Sequence, residues 1–150
     1  MSILLDSSLL GRFANTADRD HALAVQAVSR LELAGERILL TPQILIEFRN
    51  FATRPTAQNG LGMTAQQADS ESIKYEAAYP LLADTPDIYP AWKQIVQSLG
   101  VTGKQVHDAR LIAVCQVHQV THLLSFNVGH FARLAAGATP PVAVIDPRTV

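Results

Sequence analysis

One cysteine, Cys115, stands among 150 residues. That excludes an internal disulfide, and no CxxC or Cys/His cluster is present to hold structural zinc. No apolar run approaches the roughly 20 residues that span a bilayer. The opening MSILLD has neither the basic start nor the long apolar core of a signal peptide. The expectation is a soluble, cytoplasmic protein with no membrane partner. Charged residues are few, 17% against 48% hydrophobic, and a mean hydropathy of +0.14 excludes intrinsic disorder. Positive charge is not in excess either: 12 Lys+Arg face 13 Asp+Glu, a formal net charge of −1. A protein that coats nucleic acid by bulk charge is thereby excluded, whereas a local basic groove is not. The length suits one domain over residues 1–150, long enough to bury a sizeable core.

Short apolar runs alternate with longer helical patterns. Ser2-Ile3-Leu4-Leu5 reads as a buried strand stopped by Asp6-Ser7-Ser8, with a short helix at 8–13. Residues 18–34 carry Leu23, Ala24, Ala27, Val28 and Leu31 at helical spacing, and Gly35 closes them. Arg37-Ile38-Leu39-Leu40 is a second strand. Thr41-Pro42 then offers an N-cap followed by Pro at the first helical position. The spacing predicts helices over 42–53, 64–80, from 84–86 to Leu99, and over 104–118. Residues 56–63 form a loop with an Asn-Gly turn, and 81–83 a short edge strand. The last strands are 121–124 and 142–145. Strand–helix alternation with apolar strands predicts an α/β fold with a parallel sheet covered on both faces. Ligands of such sheets collect beyond the carboxyl ends of the strands.

Four polar residues fall at those ends. Asp6 follows the first strand and Asn127 the strand at 121–124. Glu47 lies in the second turn of the helix at 42–53, and Asp108 in the first or second turn of the helix at 104–118. Three carboxylates and an amide converging on one rim repel each other unless a cation neutralises them. Oxygen ligands without thiolate favour Mg²⁺ or Mn²⁺ over zinc. Each also has a plainer role open to it: Asp6 as a helix cap, Glu47 as a partner of Arg49 or Arg12, Asp108 as an early-helix acid favoured by the macrodipole, Asn127 as a turn residue. The combination is what raises the functional reading.

Taken together, ILLDSSLL (3–10), TPQILIEFRNFATRP (41–55), GKQVHDARLIA (103–113) and LLSFNVGHF (123–131) resemble the PIN-domain ribonucleases, most closely the branch typified by VapC-type toxins. The likeness runs from about residue 3 to 147. It implies a single PIN-like domain with a parallel four- to five-stranded sheet and helices on both faces. The family's acidic site is matched by Asp6, Glu47, Asp108 and Asn127, with Ser8 in the place of a usual Asn or Ser. The fourth position is often Asp, so Asn127 removes one negative charge and weakens binding of a second metal.

The resemblance implies hydrolysis of RNA phosphodiester bonds leaving a 5′-phosphate, with Mg²⁺ or Mn²⁺ as cofactor held by Asp6 and Asp108. Glu47 would orient or deprotonate a water, and Asn127 would hydrogen-bond to one. Ser8, Arg12, Arg49 and Lys104 are expected at the substrate, with Arg54 and Arg110 as further phosphate contacts. A homodimer and a cognate antitoxin protein are the implied partners, the antitoxin meeting the helices at 42–53 and 64–80 through apolar residues such as Leu61 or Met63. Trp92, with Tyr89, reads as core or interface. A phosphate-transfer domain of the haloacid-dehalogenase type needs an acid where Ser8 stands, and a receiver domain needs a Lys that no late strand provides. The alternative that remains is a PIN-like module that binds RNA or a partner protein without cleaving.

Overall fold

A computed structural model describes residues 1–150. Its centre is β1 (Ser2–Leu5), flanked by β2 (Arg37–Leu39) and β3 (His122–Leu124), with β4 (Ala143–Ile145) outermost, in the order β2-β1-β3-β4. All three pairings are parallel, and Leu5 stands opposite Leu124. Ile3, Leu4 and Leu5 are all wholly buried. Successive strand residues point to opposite faces, so both faces of the sheet are covered. From β1 the chain moves first to one side of the sheet and later to the other, which makes the β1/β3 boundary a switch point where a crevice opens above the strand ends.

The helices are α1 (Ser7–Ala14), α2 (His21–Leu33), α3 (Pro42–Thr53), α4 (Ala65–Ala78), α5 (Ile88–Leu99), α6 (Gln105–Val117) and α7 (Val128–Ala136). None is long and apolar enough to cross a membrane. Local chemistry sets their starts. The Thr41 hydroxyl accepts from the Ile44 N–H at 3.3 Å, ahead of Pro42. Thr64 and Gln67 cap each other reciprocally, at 3.1 and 2.9 Å. Phe48 meets Tyr75 edge-on at 5.3 Å, fastening α3 to α4 within the core. Trp92 Nε1 donates to the Val106 carbonyl at 2.7 Å and so fastens α5 to the start of α6.

Three details differ from the sequence reading. The expected edge strand at 81–83 is a single bridge, Leu40 to Leu81, because β2 ends at Leu39 and offers no longer edge. Helix α5 starts at Ile88, two residues past Pro86, because the Ile88 N–H is held by the Thr85 carbonyl in a turn at 3.2 Å. Helix α7 lies where only a polar motif was read.

Candidate functional site

Asp6 is the residue after β1, and Ser125 the residue after β3. Register therefore sets them side by side, and the Asp6 N–H still pairs with the Leu124 carbonyl at 3.0 Å. Asp6 is 3% exposed. It occupies the N-cap position of α1, yet its side chain makes no capping bond, so the helix-cap role is not its own. Its Oδ2 accepts hydroxyl bonds from Ser8 and Ser125, both at 2.7 Å. The nearest donor to Oδ1 is the Ser7 hydroxyl at 3.5 Å. That hydroxyl has one proton, and at 3.0 Å it is better placed to give it to Glu47 Oε2. One oxygen of a buried carboxylate thus lacks a close donor.

Glu47 pairs with neither Arg49 nor Arg12. It accepts from Ser7 and, at 2.8 Å, from Gln43 Nε2. Gln43 also donates to the His107 carbonyl at 2.8 Å and accepts from Arg110 at 3.1 Å, and Arg110 reaches Asp84 at 3.0 Å. A continuous polar chain therefore runs from Asp84 through Arg110, Gln43, Glu47 and Ser7 toward Asp6. Burial pushes the Glu47 carboxyl up; hydrogen bonds from Gln43 and Ser7 oppose this, and the Asp6 charge adds to it. Asp108, on α6, is pushed up to about 6, chiefly by burial and then by Asp6, with Glu47 adding and His130 and His107 opposing. The three acids feel one another, and no lysine or arginine lies within ion-pair distance of any of them.

Two recesses meet at Glu47 and Asn50. One, of about 800 Å³, is lined by Gln43, Ile46, Asp84, Lys104, His107 and Arg110 as well. The other, of about 380 Å³, adds Ser7, Ser8, Arg12, Arg54 and Asn127 among others. Asp6 and Asp108 line neither recess; Glu47 alone of the three acids stands at the junction, and with cations along both arms the groove suits a phosphodiester strand. No three His, Cys, Asp or Glu side chains are drawn together into a ready-made metal cage. The chemistry of the donors nevertheless fits a hard divalent cation: coupled carboxylates, an under-donated Oδ1, and no cationic side chain among them.

No protein-family profile matches the chain, and no curated protein sequence does. Solved structures do. The VapBC2 complex from Rickettsia felis, bound to a DNA fragment from its promoter, superposes with a TM-score of 0.71 at 11% identity over 97% of this chain and 98% of its counterpart. FitAcB from Neisseria gonorrhoeae gives 0.66 at 17% identity over 99% of each chain. VapC20 of Mycobacterium tuberculosis, a toxin that cleaves the Sarcin-Ricin loop, gives 0.62 at 18% over 87% of this chain and 94% of its own. The fold is that of a VapC-type PIN domain.

Within this fold the expected residues fall into two groups. Asp6, Glu47 and Asp108 are electrostatically coupled, and Ser8 is bonded to Asp6. Arg12 and Asn127 line one recess and Lys104 the other. Asn127 is exposed and its side chain caps no helix N–H; its backbone N–H is held by the Ser125 hydroxyl and its carbonyl by the His130 N–H, both at 2.9 Å. Arg49 is the exception. It pairs with Asp69 on α4 and lines neither recess, because its place two residues beyond Glu47 turns it about 200° around a helix of 3.6 residues per turn. Leu61 and Met63, expected as exposed contacts, are half-buried against the core, while Ile46 and Ile73 stand out from α3 and α4. Ser7, Gln43 and Ser125 were missed as site residues. The signal for Ser125 was its place one residue past β3, matching that of Asp6 past β1.

Proposed function

We propose that this chain, one PIN domain over residues 1–150, is a metal-dependent endoribonuclease acting in the cytoplasm as the toxin of a toxin–antitoxin pair. The observation that carries this reading is the trio Asp6, Glu47 and Asp108, coupled yet without a cationic partner, at the switch point of a PIN fold. Asp6 and Asp108 would hold Mg²⁺ or Mn²⁺. When bound, the cation supplies Lewis-acid polarisation of a phosphoryl oxygen and acidifies a water.

The protein's own groups do the rest. Glu47, with its pKa raised, accepts a proton from the attacking water. The water oxygen bonds to phosphorus, the P–O3′ bond breaks with the 3′ oxygen taking a proton from solvent, and the products carry a 3′-hydroxyl and a 5′-phosphate. Ser8 and Ser125 fix the Asp6 carboxylate through Oδ2, which leaves Oδ1 without a close donor. Arg12, Arg54, Lys104 and Arg110 bind flanking phosphates. Asn127 donates a hydrogen bond at the rim but cannot act as a base. Single-stranded or loop RNA suits such a groove, since its backbone and bases are accessible.

The structural relatives in complex support an antitoxin partner. Ile46, 69% exposed and lining the larger recess, gives an apolar segment a seat that would cover the site. A homodimer is the expected assembly.

RNA incubated with Mg²⁺ or Mn²⁺ tests the reading. Asp6→Ala and Asp108→Ala should each lower cleavage at least about 10²-fold. Equal activity in wild type and variants would point to a contaminant and leave a non-cleaving binding module. Asn127→Asp should raise metal affinity in a titration.

A further inference from the structure

Next to the larger recess lies a second, half-apolar one of about 310 Å³, and the two share His107 and Arg110. Its wall is an aromatic pair: Tyr89 and Trp92, one turn apart on α5, stack with centroids 5.6 Å apart and planes 27° from parallel. Trp92 is anchored by its bond to the Val106 carbonyl, so its ring plane is fixed. Tyr89 rests on that fixed ring, yet is 64% exposed. A core pair would bury both rings; here one ring is anchored and the other faces water, oriented and unpartnered.

Two features say what covers it. Arg110 belongs both to this recess and to the polar chain that passes through Glu47. Its partner Asp84 is half exposed, and ion pairs of that kind are worth little, so the guanidinium can exchange it for a phosphate. A phosphate-binding cation beside a flat apolar face matches one nucleotide of a single strand: phosphate on Arg110, base on the ring.

We infer that Tyr89 and Trp92 form a base-stacking subsite that takes an unpaired nucleobase of the RNA whose backbone lies across Glu47. The inference rests on the ribonuclease reading and names where its substrate is held. Stacking is tolerant of sequence, because every base has a π-face. The subsite therefore selects single-stranded over paired RNA rather than one base over another.

Trp92 is the one tryptophan of the chain, so its fluorescence reports the recess directly. A single-stranded oligoribonucleotide is titrated into wild type, Tyr89→Phe and Tyr89→Leu in EDTA, with the anisotropy of labelled RNA followed in parallel. The expected result is saturable quenching in wild type and Tyr89→Phe. The dissociation constant should be about 5- to 150-fold weaker in Tyr89→Leu, and an oligonucleotide with abasic positions should reproduce that loss. Unchanged RNA affinity in Tyr89→Leu overturns the subsite. If the same variant instead alters the sedimentation of the protein while RNA affinity holds, the face is a protein interface and the subsite is equally refuted. Cleavage that depends on Asp6 but leaves Trp92 fluorescence unmoved removes the subsite alone. A wild type that neither binds nor cuts RNA removes the ribonuclease reading with it.

Discussion

Asp108 shows how the site is stressed before any ligand arrives. Its carboxyl is raised from 3.8 to about 6, so the folded protein binds a proton there more tightly than the unfolded chain does. Between those two values stability therefore falls as pH rises, and above about 6 the full cost is present. Asp108→Asn removes that cost. In EDTA at pH 8 the variant should be more stable than wild type by about 1 kcal/mol, allowing for solvent screening of a part-exposed group. The difference should vanish below pH 4, as urea unfolding across pH would show. A gain that persisted at pH 3.5 would mean that packing, not charge, is responsible. Ser125 acts in the opposite sense. It is wholly buried, donates to Asp6 and accepts from the Asn127 N–H. Ser125→Ala leaves both partners short and should cost about 1–3 kcal/mol, read as a lower urea midpoint at pH 7. It should also weaken metal binding, because Asp6 Oδ2 loses one of the two donors that hold the carboxylate in place.

At the scale of elements, the turn after α3 is where sequence and packing meet most tightly. Asn59 adopts φ +60°, as the Asn-Gly signal suggests, and a methyl on Gly60 would sit 2.0 Å from the Arg54 carbonyl oxygen. Gly60→Ala must displace backbone at the end of α3, costing about 1–3 kcal/mol, and Arg54, which lines the smaller recess, moves with it. Calorimetry should show the lower Tm, and RNA binding the weaker affinity; a variant with wild-type values in both would show that the turn yields freely. The Asn-Gly turn was legible because its demand is local, and so were the strands, whose apolar runs need no tertiary context. Asp6, Glu47 and Asp108 were legible because strand-end and early-helix positions fix where side chains lead. Helix α7 was not, although Phe131, Leu134 and Ala135 share its buried face: it has two turns and a glycine, and its start doubles as a polar motif. Arg49 was misplaced because a motif gives spacing along the chain but not angle around the helix. Ser7 and Gln43 escaped because their importance lies in bonds to Glu47 across elements 40 residues apart or at the far side of one helical turn.

Across the whole molecule, near-neutral charge and an RNA substrate are compatible only if attraction is confined to the groove. Twelve Lys+Arg face thirteen Asp+Glu, and part of the positive charge lies away from the groove: Arg49 beside Asp69, Lys74 beside Glu71, Arg30 on the Val150 carbonyl. Along the two recesses stand Arg12, Arg54, Lys104 and Arg110. Arg12 is also stacked over Phe126 at 4.0 Å, which holds its guanidinium in position at the smaller recess. Each phosphate neutralised on a single strand contributes about −0.7 to the slope of log affinity against log salt. Four such contacts predict a slope of about −3, or a loss of roughly 50-fold between 50 and 200 mM salt. Removing one cation, as in Lys104→Ala, should make the slope shallower by about 0.7 without changing which RNA is preferred, since phosphate contacts carry no sequence information. A measured slope near −10 would require a distributed basic surface, which the charge balance of this chain does not contain. A slope near zero would mean that the acids at Asp6, Glu47 and Asp108 cancel the cations around them, and that RNA is held by stacking on Tyr89 and Trp92 with little help from its phosphates.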